Sequence, residues 1–328
     1  MGKTKQEILN LLEANYGKGL LSGAKIGKML GITRSAVSKT IISLQNQGYP
    51  ITAIRPRGYE LVYRDNIINA ENIKPLLCRP DDIDNAKFFT SIGSTNEYLR
   101  EQANMGAGHG LIAFADSQTF GRGRRDHLFY SPKWTGIYIS FLLRGGRFRT
   151  ITPASITMSA AVAVCNAIAK ISDKKTSIKW VNDILIDRKK ICGIGTEALQ
   201  DFVTGETEWV VLGIGINVAT DSFPTEIEDI ATSIFPEMEI GLARKTLTAE
   251  LINLIMDDSF ASDFTKMITD YKNRLEFVGE VVKVISSANE YYAKIRNIDQ
   301  TGALIVELAN GDLIPLHAGE IRPLLLNT

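Results

Sequence analysis

Three cysteines in 328 residues, Cys78, Cys165 and Cys192, stand far apart and form no CxxC pair. A scattered, odd set excludes a disulfide framework and, with only three histidines in the chain, a zinc site made of closely spaced ligands. His109, His127 and His317 keep no spacing with a nucleophile, so no Ser-His-Asp or Cys-His arrangement is legible. No run of about 18 apolar residues occurs, and the start MGKTKQEILN lacks the apolar stretch of a signal peptide. The expectation is a cytoplasmic chain with no membrane partner. Proline is sparse at 10 residues and hydrophobic residues make up 45%, which excludes collagen-like and disordered chains.

Net charge is also missing, with 37 basic and 37 acidic side chains, but the balance is uneven along the chain. Residues 1–64 carry ten Lys or Arg against Glu7, Glu13 and Glu60, an excess of +7 that the remainder cancels. A basic module on an acidic protein is the footprint of a polyanionic partner, although a basic terminus can also be a solvated face. The length itself predicts two or three domains, since one domain holds ~100–200 residues.

In the basic segment, Ile8, Leu9, Leu11 and Leu12 recur at helical spacing, and Gly17 and Gly19 end the pattern. Ser22 is placed to cap a second helix through Leu30, Gly31 suits the left-handed residue after it, and Thr33 is placed to cap a third helix running to about Gln47. Ala36, Val37, Ile41 and Leu44 of the third helix face inward. Thr33, Arg34, Ser35, Ser38 and Lys39 are left as donors for base edges and phosphates of a major groove. The following YPITAIRPRGYEL alternates like a hairpin with Arg55 and Arg57 near its tip, which completes a winged helix-turn-helix. The alternative for this segment is a three-helix interaction module without DNA affinity.

Residues 65–85, with Pro75 and Pro80, have weaker periodicity and predict a connection. From 86 to 273, the strand-like runs LIAFADS, GIYISFLL, SIKWVNDILI, ICGIGTEAL and WVVLGIGINV alternate with helical stretches at 94–104, 153–171 and 244–270, an α+β pattern. From 274 onward, short strands with turn signals at 299–302 and at Asn310-Gly311 predict a small all-β cap.

The chemistry concentrates in GRGRR at 121–125, which puts three guanidinium groups on a glycine-containing loop. Glycine lets the backbone approach a ligand closely and arginine forks match carboxylate and phosphate oxygens, so the loop suits an anionic substrate; an exposed basic turn is the bland alternative. In the same domain stand SIGSTNEYL at 91–99, KWVND at 179–183, DRKKICGIG at 187–195 and GIGINV at 213–218.

Together and in this order these motifs resemble the biotin protein ligase family, and with the fused winged module and β cap nearly the whole chain is similar to its bifunctional branch, the biotin operon repressors. The resemblance implies a winged helix-turn-helix over 1–64, a linker over 65–85, a class II aminoacyl-tRNA synthetase-like ligase domain with a mixed or antiparallel sheet over 86–273, and a small SH3-like β-barrel over 274–328. It implies activation of biotin by ATP, with Mg²⁺, to biotinyl-5'-AMP, and transfer to a lysine of the biotin carboxyl carrier protein. It further implies repression of biotin-synthesis genes by an adenylate-bound homodimer on operator DNA.

By the same resemblance Lys190 is the key catalytic cation, Arg122 and Arg124 hold the biotin carboxylate and the phosphate, and Arg125 supports the closed loop. Ser94, Thr95, Asn96 and Gln118 belong to the biotin set with Gly121, Gly123 and Gly193; Ser94 alternatively only caps the helix NEYLREQ. The nucleotide set comprises Phe129, Trp134, Lys179, Asn182, Asp183 and Asn217, with Asp183 also expected to help hold Mg²⁺. Trp134, like Trp180, reads more as core than as a ligand-stacking ring, since aromatic residues in apolar strands usually bury. The chain departs from the family pattern at Val181, where proline is frequent, at Cys192, where alanine is, and at Asp126 and Phe129, where glycine and tryptophan are; no catalytic functional group is removed. Two alternatives share these motifs: a ligand-sensing repressor without ligase activity, and a lipoate or octanoate ligase.

Overall fold

A computed structural model describes residues 3–16, 18–46, 49, 51–61, 68–121, 123, 128–201, 203–236, 241–286 and 289–324. At the amino-terminal end, α1 (Lys3–Ala14), α2 (Gly23–Leu30) and α3 (Arg34–Asn46) precede an antiparallel ribbon of β1 (Ile51–Ile54) and β2 (Gly58–Leu61). The helix boundaries follow local chemistry. The Ser22 hydroxyl accepts the Lys25 amide at the head of α2, Gly31 closes it at φ 65°, and the Thr33 hydroxyl accepts the Ala36 amide at the head of α3. Ile8, Leu12, Ile26, Val37, Ile41 and Leu44 make a core of their own. Thr33, Arg34, Ser35 and Lys39 are exposed and Ser38 is half-buried, while Ala36 is half-buried rather than fully inward. Arg55 and Arg57 are exposed where the ribbon turns, and Tyr59 and Leu21 exchange backbone hydrogen bonds that dock the ribbon on α2.

Within the expected connection, residues 68–85 are packed rather than loose. They form α4 (Ala70–Ile73) and two 3₁₀ turns, and Ile68, Ile73, Leu77 and Ile83 are buried in the main core. Four apolar side chains at irregular spacing hold this segment down, which periodicity cannot register.

The central part is built from β3 (Lys87–Phe89), α5 (Thr95–Asn104), β4 (Ile112–Ala115), β5 (Gly136–Arg144), α6 (Pro153–Ala169), β6 (Ser177–Lys179), β7 (Asp183–Ile186), β8 (Lys189–Gln200), β9 (Thr207–Asn217), α7 (Gly241–Met256) and α8 (Phe264–Lys272). Its sheet runs β3-β4-β5-β9-β8-β7-β6, with β3–β4 parallel and the other pairs antiparallel. Alternation decides the faces. Ile137, Ile139, Phe141 and Leu143 of β5 and Val210, Leu212, Ile214 and Ile216 of β9 enter the main core with α6 and α7, whereas Leu142 and Val211 join Leu99 and Ala103 under α5.

Two expected elements divide. The helical stretch 244–270 breaks at 257–263, where the Asp257 carboxylate accepts the Ser259 amide, Ala261 sits at φ 58° and Asp263 caps α8. The run SIKWVNDILI turns at 180–182 instead of continuing, because Trp180 buries its indole with N–H donated to Gly302 O (3.2 Å) and Asn182 donates to Ile194 O (2.9 Å). That turn sets Lys179 opposite Asp183 in the β6–β7 register.

The carboxy-terminal sheet is antiparallel in the order β13-β12-β11-β10-β14, from β10 (Val281–Ile285), β11 (Glu290–Ile298), β12 (Leu304–Glu307), β13 (Leu313–Leu316) and β14 (Glu320–Pro323). The turn after β11 is held by the Asp299 carboxylate, which accepts the Thr301 and Ala303 amides, and Gly311 at φ 90° lets β12 return as β13. Val282, Val284, Ile295, Val306 and Ile321 extend the main core. Among the described residues no helix is long and apolar enough to cross a membrane.

Candidate functional site

On the face of the central sheet that carries α5 lies a cavity of about 770 Å³. Its floor is glycine. Because side chains alternate along β9, the neighbours of the buried Leu212, Ile214 and Ile216 are Gly213, Gly215 and Asn217, which face the cavity, and the register pairs Gly193 with Gly215 and Gly195 with Gly213 across to β8. A Cβ at Gly213 would stand 2.0 Å from Asn96 Oδ1, and one at Gly215 would stand 2.6 Å from the Phe129 ring. The glycines therefore make room for side chains that cross the floor.

One wall is polar and tied together. Ser94 caps α5, accepting the Glu97 amide, and Ser94, Thr95, Asn96 and Gln118 all line the cavity. Gln118 Oε1 accepts from the Thr95 amide (2.8 Å) and hydroxyl (3.1 Å), and its Nε2 donates to Ser131 Oγ (3.3 Å). Ser140, fully buried on β5, has its hydroxyl 2.7 Å from both the Thr95 hydroxyl and Asn96 Oδ1, with one proton to share between them. Gly121 backs this wall: its carbonyl accepts the Phe129 amide (2.7 Å), and a Cβ there would meet Gln118 Nε2, Phe129 O and Ser131 Oγ, each at 2.9 Å. Gly123 lines the cavity; Arg122, Arg124 and Arg125 lie outside the described residues.

The opposite wall is charged. Lys190 Nζ lies 2.6 Å from Asp183 Oδ1, and Lys179 Nζ lies 3.6 Å from Asp183 Oδ2. Burial acts to raise the Asp183 carboxyl, but Lys190 and Lys179 outweigh it and hold the group below the ordinary 3.8. A folded pKa depressed in this way stabilises the fold above the unfolded value, and that contribution disappears as pH falls through the depressed value. Asp183→Asn is thus expected to cost most melting temperature at about pH 7, with the loss shrinking progressively as pH falls below the ordinary carboxylate value of about 3.9. Thermal melts of both proteins across a descending pH series check this; a loss that does not change with pH would mean that the carboxylate charge is not what stabilises.

Phe129, 5.9 Å from Lys190 Nζ, and Asn182 also line the cavity, and a Cβ at Gly193 would come within 3.1 Å of that Nζ. Asn217 is 4% exposed; its Nδ2 donates to Thr232 O (3.2 Å), and its Oδ1 is buried without a hydrogen-bond partner among the described residues. Trp134 is not among the cavity-lining residues; its backbone amide donates to Asp116 O (3.2 Å), and the Lys133 ammonium lies 4.5 Å from the ring centroid.

Several lining residues were not expected. Ser140 had a signal, the one small polar residue in the apolar run GIYISFLL, and Gly213 and Gly215 stood in a motif already singled out. Phe223, Ile227 and Ile230 had none. They reach the site because Lys190 N donates to Ile230 O (2.7 Å) and Thr232 N donates to Lys190 O (2.9 Å), a pairing between distant parts of the chain. Glu320 and Arg322 likewise arrive from the carboxy-terminal sheet.

Comparison with known proteins agrees with this architecture. The Biotin/lipoate A/B protein ligase family matches residues 88–217, an HTH domain matches residues 4–60, and the Biotin protein ligase C terminal domain matches residues 277–322. The Bifunctional ligase/repressor BirA of Bacillus spizizenii (strain ATCC 23059 / NRRL B-14472 / W23) is 33% identical over 319 residues, which is 95% of this chain and 96% of that protein. The protein of the same name from Escherichia coli (strain K12) is 29% identical over 306 residues, 92% of each. The solved biotin protein ligase from Aquifex aeolicus in complex with biotin and ATP superposes with a TM-score of 0.59 at 25% identity, covering 73% of this chain and 97% of that one. The chain belongs to the biotin protein ligase family, in the bifunctional branch that joins the ligase to an amino-terminal HTH domain.

Proposed function

We propose that this chain is an ATP-dependent biotin protein ligase that also represses transcription of biotin-synthesis genes. The observation that carries it is one cavity with two unlike walls, the tied Thr95–Gln118–Ser131 cluster on one side and Lys190, Lys179 and Asp183 on the other, over a glycine floor. A ureido ring has two N–H donors and one carbonyl, which short hydroxyls and an amide satisfy, and the apolar body of biotin suits a floor without side chains. Gln118 Nε2 keeps a second N–H after serving Ser131.

In the first step a biotin carboxylate oxygen attacks the α-phosphorus of ATP, the bond to the bridging oxygen breaks, and pyrophosphate leaves. Both reactants are anions, so catalysis consists of aligning them and stabilising charge on the phosphoryl oxygens. Lys190 carries that charge with Arg122 and Arg124, while Arg125 supports the loop. Lys179, Asn182 and Phe129 flank the nucleotide, and the open Asn217 Oδ1 accepts from an adenine amino group or a ribose hydroxyl. In the second step the amine of a lysine on the biotin carboxyl carrier protein attacks the acyl carbon, the bond to AMP breaks, and the nitrogen loses a proton. AMP leaves readily, so no nucleophilic side chain is needed.

The donor set does not fit a protein-held Mg²⁺. Asp183 is one carboxylate whose oxygens already face two ammonium groups, and among the described residues no cluster of three His, Cys, Asp or Glu side chains gathers. The ion would ride on the nucleotide phosphates with its own waters, and no step is routed through it.

In the same proposal the four parts are a winged helix-turn-helix (1–64), a connection (65–85), a class II aminoacyl-tRNA synthetase-like domain (86–273) and an SH3-like barrel (274–328), in a cytoplasmic protein. The exposed Thr33, Arg34, Ser35, Lys39, Arg55 and Arg57, with Ser38, meet operator DNA. An adenylate-bound homodimer then presents two such faces to a palindrome. Lys39→Ala is expected to weaken binding alike across DNA sequences and to lower the salt slope of log K by about 1. Titrations of duplex DNA at several salt concentrations measure it; an unchanged slope removes Lys39 from the interface.

Biotin-dependent exchange of labelled pyrophosphate into ATP tests the ligase, with lipoate as the competing substrate. Exchange with biotin alone supports the proposal. Its absence points to a repressor that only senses the ligand, and exchange driven by lipoate instead moves the substrate class.

A further inference from the structure

Arg244, on α7, is the largest fully buried side chain among the described residues. Its Nη2 donates to Asp116 Oδ1 (2.7 Å), its Nε donates to Gly136 O (2.6 Å), and its guanidinium carbon lies 5.4 Å from the centroid of the Phe114 ring. Burying two charges costs desolvation that pairing repays only with good geometry, and apolar replacements of such pairs are often no less stable. Stability alone therefore gives a weak reason for an arginine at this place.

These two partners lie on segments that lead to different walls of the cavity. Asp116 continues β4: its amide donates to Phe89 O (2.9 Å), and its carbonyl accepts the Trp134 amide (3.2 Å). Two residues further along stands Gln118, whose amide donates to Ser131 O (3.3 Å) and whose side chain accepts from Thr95. Gly136 opens β5 in register with Asn217. Beside it the Thr135 carbonyl accepts the Val218 and Ala219 amides (3.1 and 2.8 Å), and its hydroxyl meets that of Thr220 at 3.0 Å. Neither Asp116 nor Arg244 lines the cavity. Burial raises the Asp116 carboxyl, and Arg244 opposes that rise, so the carboxylate depends on its partner.

We infer that Arg244 is a positioning residue: its guanidinium, from behind the sheet, ties the Asp116–Gln118 segment to the Gly136–Asn217 pair and sets the distance between the biotin wall and the nucleotide wall. The inference rests on the ligase proposal and concerns how its two substrates are held at once. A lysine at 244 keeps a buried cation but offers a single ammonium in place of the fork, and Asp116→Asn keeps the shape while removing the charge.

The experiment measures pyrophosphate exchange by the full-length wild type, Arg244→Lys and Asp116→Asn, with biotin and ATP varied separately, at a temperature well below the melting point of each. Absence of wild-type exchange would overturn the ligase proposal, and the inference with it, a failure distinct from one confined to the variants. With an active wild type, each variant is expected to raise KM for both biotin and ATP by about tenfold, the loss of one charged hydrogen bond, while kcat changes far less. Unchanged KM values alongside a lowered melting temperature would make the pair purely structural and overturn the inference, as would a rise for one substrate alone. If Arg244→Lys does not fold, Asp116→Asn decides by the same criterion.

Discussion

Lys190→Ala is expected to lower the rate of biotin-dependent pyrophosphate exchange by about 10²–10³, the usual loss when one preorganised donor to a developing charge is removed. Lys190 is suited to that task because its ammonium is held but not sealed away. It lies 2.6 Å from Asp183 with the side chain 34% exposed, so a ligand oxygen can replace or share the carboxylate. Lys179 remains 3.6 Å from Asp183 in the variant, so the carboxylate is not stranded and the fold should survive. The neighbouring Lys189 is the control: it is exposed and reaches Glu228 O at 3.4 Å, and Lys189→Ala should leave exchange near the wild-type rate. Equal rates for wild type and Lys190→Ala would remove this lysine from the chemistry, whatever its position.

Gln118→Leu should act on affinity instead. The amide joins the wall through two accepted bonds from Thr95 and one donated to Ser131 Oγ, and leucine of similar size can make none of them. Those bonds shape the wall, and the N–H that Gln118 Nε2 keeps after serving Ser131 is the one offered to biotin; losing that one bond, at about 1–1.5 kcal/mol, corresponds to about tenfold in KM for biotin. Because this wall is proposed to hold the ureido ring and not the reacting carboxylate, it acts equally in ground and transition state, and kcat should move little. Calorimetry with biotin and exchange kinetics give the two quantities separately; a fall in kcat at constant KM would reverse the assignment and put Gln118 on the reacting end.

Much of this site was legible in the chain. Ser22, Gly31 and Thr33 act on residues at most four positions away, so capping chemistry located the helices of the DNA-binding unit. The anion-site motifs were legible for the same reason, since KWVND and DRKKICGIG each hold their charged groups within a few residues. That Trp134 stands beside Asp116 and away from the cavity lining was not legible, because the two residues are 18 positions apart. The division of 244–270 was missed because the apolar spacing persists into α8, although the turn residues Asp257 and Asp263 stand in plain order.

By itself the sequence determined the charge asymmetry, the helix caps, the strand runs and the family, all of which depend on composition or on neighbours along the chain. Only the tertiary structure decided that Gly193 lies against Gly215, that Ser140 supports Thr95 and Asn96, that Lys190 pairs with residues 230–232, and that Arg244 reaches both Asp116 and Gly136. Those contacts join residues far apart in sequence, and their geometry comes from strand register and from which face each alternating side chain takes. A one-residue slip in register would send Gly213 and Gly215 into the core and Leu212 and Ile216 into the cavity, and no local signal in the chain would have changed.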